Sequence, residues 1–161
     1  MRLDQVTTPD RGAVPGLKAV SLSLHAGQIT GLAGVSGNGQ AALAELVAGL
    51  ALPSSGGLLL NGAPLDAWSP RLALAKGVAR IPEDRHHQGT IADFDLTENA
   101  VLEAYRSRRF SRRGWMNWRA AKRFAEEIIA GYDVRCPGPS IRIRLLSGGN
   151  MQKLILGRAM A

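Results

Sequence analysis

Cysteine is almost missing from this chain. Cys136 is the only one in 161 residues, so no intramolecular disulfide is available and a cysteine-based zinc site is not expected. A reducing cytoplasm suits such a composition. Long apolar runs are missing too. The longest, AALAELVAGLAL from Ala41 to Leu52, is broken by Glu45 and is shorter than the roughly 20 apolar residues that a membrane-spanning helix needs. The opening MRLDQVTTPD has no apolar core of a signal peptide, so neither export nor a membrane span is expected. There is no internal repeat and no low-complexity tail.

What is present suits a globular protein with one sizeable core, at 45% hydrophobic residues and a net charge of +7. The charge is unevenly placed. Through Asp95 there are seven Lys/Arg against eight Asp/Glu, and from Leu96 onward thirteen against five. Most of the excess surrounds YRSRRFSRRGWMNWRAAKR, where Phe110, Trp115 and Trp118 stand among arginines. That mixture suits nucleic acid or anionic headgroups, or simply a solvated helical face with its connecting loop.

Alternation at Val20, Leu22 and Leu24 predicts a half-buried strand, and QITGLAG predicts a short central strand ending at Gly34. Leu43, Leu46, Val47 and Leu50 then fall at the spacing of an amphipathic helix. PSSGGLLLNG reads as a loop, a strand and a turn. SPRLALAKG reads as a short helix with Ser69 as its cap and Gly77 as its stop, and VARIP as another short strand. Helical texture follows. TENAVLEAY is one helix, and NWRAAKRFAEEIIAG is another, capped by Asn117, with Ala121, Phe124, Ala125 and Ile128 on one face and Gly131 as the stop. FSRRGW between them reads as a polar linker, and MQKLILGRAMA as a final helix led by Ser147.

Two glycine bends stand at helix starts. In GVSGNGQAAL, Gly34, Gly37 and Gly39 have the spacing of a loop whose backbone N–H groups converge on β- and γ-phosphates. The lysine that would neutralise those phosphates is replaced by Gln40, and Ala41 has no hydroxyl to hold magnesium. Gly37, Gly39 and Ala42 also satisfy the dinucleotide fingerprint GxGxx[GA], yet the next strand ends on Asn61-Gly62 rather than on an acid, so a nicotinamide oxidoreductase is the weaker alternative. The second bend, LSGGN, places a hydroxyl and two glycine amides at the start of the last helix, which makes another anion cradle.

LSGGN followed by MQK resembles the signature motif of ATP-binding cassette (ABC) proteins. With GVSGNGQ at 34–40, IPEDRHHQG at 81–89, DLTENAVL at 95–102 and LSGGNMQKLILGRAMA at 146–161, the chain from about Leu17 onward resembles the second nucleotide-binding domain of bacterial simple-sugar and nucleoside importers. The resemblance implies an α/β fold, a P-loop NTPase of the ABC type with an antiparallel β subdomain and a helical subdomain. Residues 1–95 would be the nucleotide-binding core with the β subdomain, 96–145 the helical subdomain and 146–161 the signature motif and its helix. The family's magnesium-binding aspartate, general base and switch histidine come after the signature helix, so the resemblance implies that part of the core is missing, that the chain is a fragment, that it contains no catalytic residue and that alone it is inactive.

The same resemblance implies ATP as ligand, with Gly34, Ser36, Gly37, Asn38, Gly39, Gln40, Ala41 and Ala42 lining its phosphates and Mg2+ weak or absent there. Glu83 occupies the place of the Q-loop glutamine. Leu146, Ser147, Gly148, Gly149 and Asn150 would complete the ATP site of a partner domain, because such domains close head to tail. Implied partners are a second nucleotide-binding domain, membrane permease subunits and, indirectly, a solute-binding protein, with the chain peripheral on the cytoplasmic face of the membrane. A soluble ABC ATPase acting on nucleic acid or ribosomes is the alternative, though no nucleic-acid partner is expected. No metal site is expected at the adjacent His86 and His87, whose side chains would point apart.

Overall fold

The first strand lies where the alternation of apolar residues is broken. Leu3 and Val6 are three positions apart, yet both are buried in β1 (Arg2–Thr7). Gln5, at φ 48°, is a bulge that shifts the register between them and turns both side chains to one face. The opposing strand accommodates the bulge only because Gly56 stands there. A Cβ at Gly56 would lie 2.3 Å from the Gln5 carbonyl oxygen.

β1 pairs antiparallel with β2 (Val20–Ser23) on one side and with β3 (Ser55–Leu60) on the other, and β3 turns through Asn61-Gly62 into β4 (Ala63–Pro64). Leu3 sits opposite Leu22 and Leu58, and Val6 opposite Val20. Helix α1 (Gln40–Val47) contributes Ala42 and Leu46 to the same core, which also holds Leu17, Trp68 and Ala73 of α2 (Pro70–Ala75). The indole N–H of the buried Trp68 donates to the Leu46 carbonyl at 2.9 Å and so ties off the end of α1. Ser69 caps α2 with Pro70 in its first turn, as the sequence predicts. α1 is shorter than its apolar stripe suggests. Gly49, at φ +77°, ends it, and a Cβ there would meet the Ser69 carbonyl carbon at 2.4 Å, so Leu50 falls outside the helix and is exposed.

The computed structural model describes every residue except Ala13 and divides into two units, Met1–Val78 and Ala79–Ala161. The predicted strands at QITGLAG and VARIP do not form. Ile29, Leu32, Val35 and Ile81 are exposed. A strand buried on both faces needs a neighbour along each edge, and neither segment pairs with any described residue.

The second unit is helical. Asp95 opens α3 (Leu96–Ala100) with a reciprocal cap, in which Glu98 N–H donates to Asp95 and the Asp95 N–H donates to the Glu98 carboxylate, both at 2.8 Å. α3 is shorter than the predicted TENAVLEAY helix, and the chain continues in tight turns. The buried Arg158 guanidinium takes the Asn99 carbonyl at 3.0 Å, the acceptor that another helical turn would use, and the Glu103 carboxylate at 2.8 Å. α4 (Trp118–Gly131) is capped by Asn117 and buries Ala120, Ala121, Phe124, Ala125 and Ile128. α5 (Gly148–Met160) crosses that core with Met151, Leu154 and Ile155.

The linker expected at FSRRGW is a hairpin instead, β5 (Ser111–Arg112) and β6 (Trp115–Met116). Its turn, Arg113-Gly114, has both φ values positive, the primed geometry that matches strand twist. Phe110, just before it, is 2% exposed and packs against Phe124 with the two rings tilted at 46°. Burying such a ring contributes roughly 1.5–3 kcal/mol, and the Arg109 guanidinium carbon lies over it, 5.2 Å from the ring centre.

Candidate functional site

In the first unit the bend at residues 34–39 leads into α1 with Gly37 at φ +88° and Gly39, the cap residue, at φ +93°. A side chain is disfavoured at both positions. Gly34, Ser36, Gly37 and Asn38 are exposed, Ala41 faces solvent and Ala42 is buried in the core. Gln40 does not project outward. Its side-chain Nε2 donates to the Val35 carbonyl at 2.9 Å, and its Oε1 accepts the Asn38 N–H at 3.0 Å. A Cβ at Gly34 would lie 2.5 Å from that Nε2, so Gly34 leaves the room into which the glutamine folds. One of the amides expected to face a phosphate is already satisfied by the loop's own side chain.

The bend in the second unit is built differently. Ser147 caps α5, and its hydroxyl oxygen accepts from the Asn150 side-chain amide at 3.0 Å and, more weakly, from the Asn150 N–H at 3.5 Å. Asn150 Oδ1 in turn accepts the Arg135 N–H at 2.9 Å. Asn150 is therefore held from both ends, while the Ser147 O–H has no acceptor among the described residues. Gly149 is exposed, and a Cβ there would meet nothing within 4 Å. Leu146 packs against the core and anchors the bend. The helix start thus offers amides and a hydroxyl proton to an incoming anion.

Arg85 is the residue that sequence reasoning missed. Its guanidinium lies against Gly148, where a Cβ would be 3.3–3.4 Å from Nη2, Cζ and Nε. Its Nη1 donates to Gln152 at 3.3 Å, and its Nε is buried without a partner. Nothing local in the sequence connects position 85 with position 148.

Of the two acids in IPED, Asp84 is structural. Its Oδ1 accepts from the N–H groups of His86 and His87 at 3.1 and 3.0 Å, and so caps the wide helical turn Arg85–Gly89. Its other oxygen is 2.8 Å from the His87 ring nitrogen. The His87 backbone bond above all, then the ring bond, hold the Asp84 carboxyl below the usual carboxylate range. Glu83 beside it is exposed and has no partner among the described residues. No group of three His, Cys, Asp or Glu side chains among the described residues gathers in a metal-holding arrangement. The phosphate bend itself offers magnesium neither a carboxylate nor a hydroxyl at position 41.

A model of the ABC transporter family matches residues 17–161. The chain belongs to that family. This ABC protein is 39% identical over 98% of its length to the guanosine import ATP-binding protein NupO of Bacillus subtilis, 36% identical over its whole length to the glucose import ATP-binding protein TsgD13 of Haloferax volcanii, and 37% identical over 93% to the ribose import ATP-binding protein RbsA of Pseudomonas putida. It spans 31%, 30% and 29% of those relatives. Among solved structures it resembles the ATP-binding cassette MJ0796 in a dimeric post-hydrolysis state bound to ADP and Pi, with a TM-score of 0.69 at 21% identity, over 99% of this chain and 68% of that one. The fold is accordingly that of an ABC cassette. No helix of the described residues is long and apolar enough to cross a membrane.

Proposed function

We propose that this ABC chain belongs to the ATP-binding component of an importer for a simple sugar or nucleoside, and that its two glycine bends have different tasks. The phosphate bend, Gly34 to Ala42, is a weak nucleotide site. The signature bend, Leu146 to Asn150, completes the ATP site of a second nucleotide-binding domain. One observation carries this reading: the Ser147 hydroxyl and the Gly149 amide are open at the start of α5, whereas Gln40 closes the other bend on itself. Ser147 would donate to the terminal phosphate, and Asn150, held by Ser147 and Arg135, would keep the bend in shape.

The relatives' names support the proposed substrate class, since they are import proteins for guanosine, glucose and ribose. Permease subunits would be the membrane partners, and a solute-binding protein would act through them, with the chain peripheral on the cytoplasmic face. Glu83, exposed on the segment before the Asp84 turn, would face such partners.

Steady-state ATPase assays test the division of tasks. The chain alone is expected to show no robust magnesium-dependent turnover. In the complete protein, Ser147→Ala should lower turnover on the order of a hundredfold, as loss of one preorganised donor does, and Gln40→Lys should raise it far less. The reverse ranking would defeat the proposal.

A further inference from the structure

The hairpin β5–β6 and the start of α4 form a surface that neither glycine bend uses. Arg112 and Trp115 are paired across the hairpin and share its outward face, while Ser111 and Met116 share the inward one, with Met116 against the core. Trp115 is 82% exposed. The bond from the Asn117 N–H to the Phe110 carbonyl, 2.8 Å, fixes the hairpin to the cap of α4. Arg119, Lys122 and Arg123 then follow at helical spacing on the face opposite Ala121, Phe124 and Ala125. From Ala104 to Arg123 there is no acidic residue. Among the described residues Arg109 is the one cation of this stretch in an ion pair, to Glu127 at 2.9 Å, and it stacks on Phe124 as well. Arg112, Arg113, Arg119, Lys122 and Arg123 have no acidic partner among the described residues.

We infer that this surface binds anionic phospholipid headgroups, with Trp115 entering the interface and the five unpaired cations lying on the lipid phosphates. Interfacial tryptophan beside clustered Arg and Lys is the chemistry of a surface-bound segment. The neighbouring hollow is apolar, and the exposed rings of Phe94, Tyr105 and Trp118 with Leu102 extend, beside Trp115, the surface that the acyl layer below the headgroups would meet. The inference rests on the chemistry of this surface and not on the tasks assigned to the glycine bends.

The test is co-sedimentation of the full chain with vesicles of phosphatidylglycerol and phosphatidylcholine in about equal parts, and with phosphatidylcholine alone. Binding is expected only to the anionic vesicles, to weaken with salt, and to come with a blue shift of tryptophan emission that Trp115→Phe removes. Each arginine lost should lower partitioning roughly fivefold, so Arg112→Gln with Arg113→Gln and Arg119→Gln together should lower it roughly a hundredfold. The charge-matched control Lys18→Gln with Arg71→Gln and Lys76→Gln, all exposed residues of the other unit, should lower it much less. Equal losses in the two triple variants, no binding to anionic vesicles, or tighter binding to polyuridylate RNA at the same salt would each overturn the inference.

Discussion

The two glycine bends have nearly the same design and opposite states. Each turns a chain into a helix through glycines, and each presents backbone amides at the positive end of that helix. In one, the first residue of the helix, Gln40, folds back and bonds Asn38 N–H and the Val35 carbonyl. In the other, the cap residue Ser147 receives hydrogen bonds from Asn150 and keeps its own proton to give. The comparison teaches that glycine spacing makes an anion cradle possible, and that the side chain beside the glycines decides how many of its amides are already taken.

The strongest way to break this comparison is to add one methyl group to each bend. Gly149→Ala meets nothing within 4 Å and sits inside α5, so it should raise stability by up to about 1 kcal/mol through helix propensity. If the signature bend completes a partner's ATP site as proposed, the same methyl would stand in the way of that partner's triphosphate, and turnover of the complete protein should fall on the order of a hundredfold. At the other bend, Gly34→Ala displaces only the end of a flexible glutamine, and turnover should change by no more than about twofold, within what a single neutral hydrogen bond contributes. Thermal unfolding and ATPase assays on the two variants give the result. Loss of turnover in both, or in neither, removes the distinction.

A smaller effect sharpens it. Gln40→Ala frees the Asn38 N–H, and an amide returned to a phosphate is worth roughly 1 kcal/mol. Affinity of the isolated chain for a fluorescent ATP analogue should rise about fivefold, and Gln40→Lys should raise it further through charge. Unchanged affinity in both variants would show that the glutamine does not occupy the cradle.

Much of this was legible in the sequence, for physical reasons that differ by element. Helices α2, α4 and α5 announce themselves because Ser69, Asn117 and Ser147 are local caps whose effect ends within one turn. β1 was not legible, because the bulge at Gln5 places Leu3 and Val6 on one face at a spacing that no regular strand has. The hairpin was hidden by composition. A stretch of arginines reads as solvent, yet Phe110 and Met116 inside it pack against the helical core. The strands expected at QITGLAG and VARIP show the opposite failure, since apolar character sets the tendency to form a strand and only a neighbour along each edge completes one. The glycines of both bends stand out in the sequence as bends before helices, but what fills or supports them depends on contacts such as Arg85 with Gly148, which no local pattern encodes.

The smallest expected effect concerns pH, and it also separates the bends. The signature bend is supported on two sides by carboxylates. Asp84 caps the turn that begins at Arg85, and Asp133 binds Lys153 at 2.8 Å beside Arg135, whose N–H holds Asn150. Hydrogen bonding to His87 lowers the pKa of Asp84, and the bond to Lys153, then the charges of Lys153 and Arg135, lower that of Asp133. A carboxyl whose folded pKa is depressed stabilises fully above its ordinary unfolded value, and the contribution is lost as pH falls through the lower folded value. Both groups are exposed, so the loss is small and screened by salt. The phosphate bend is closed by an amide side chain, which does not titrate. In an NMR titration into acid, the His87 amide resonance should therefore move with a midpoint below the usual aspartate range, and Asp84→Asn should abolish that movement, while the Asn38 amide stays still. An Asn38 resonance that moves in step with His87 would mean that the two bends share one acid-sensitive support, and the contrast between them would be lost.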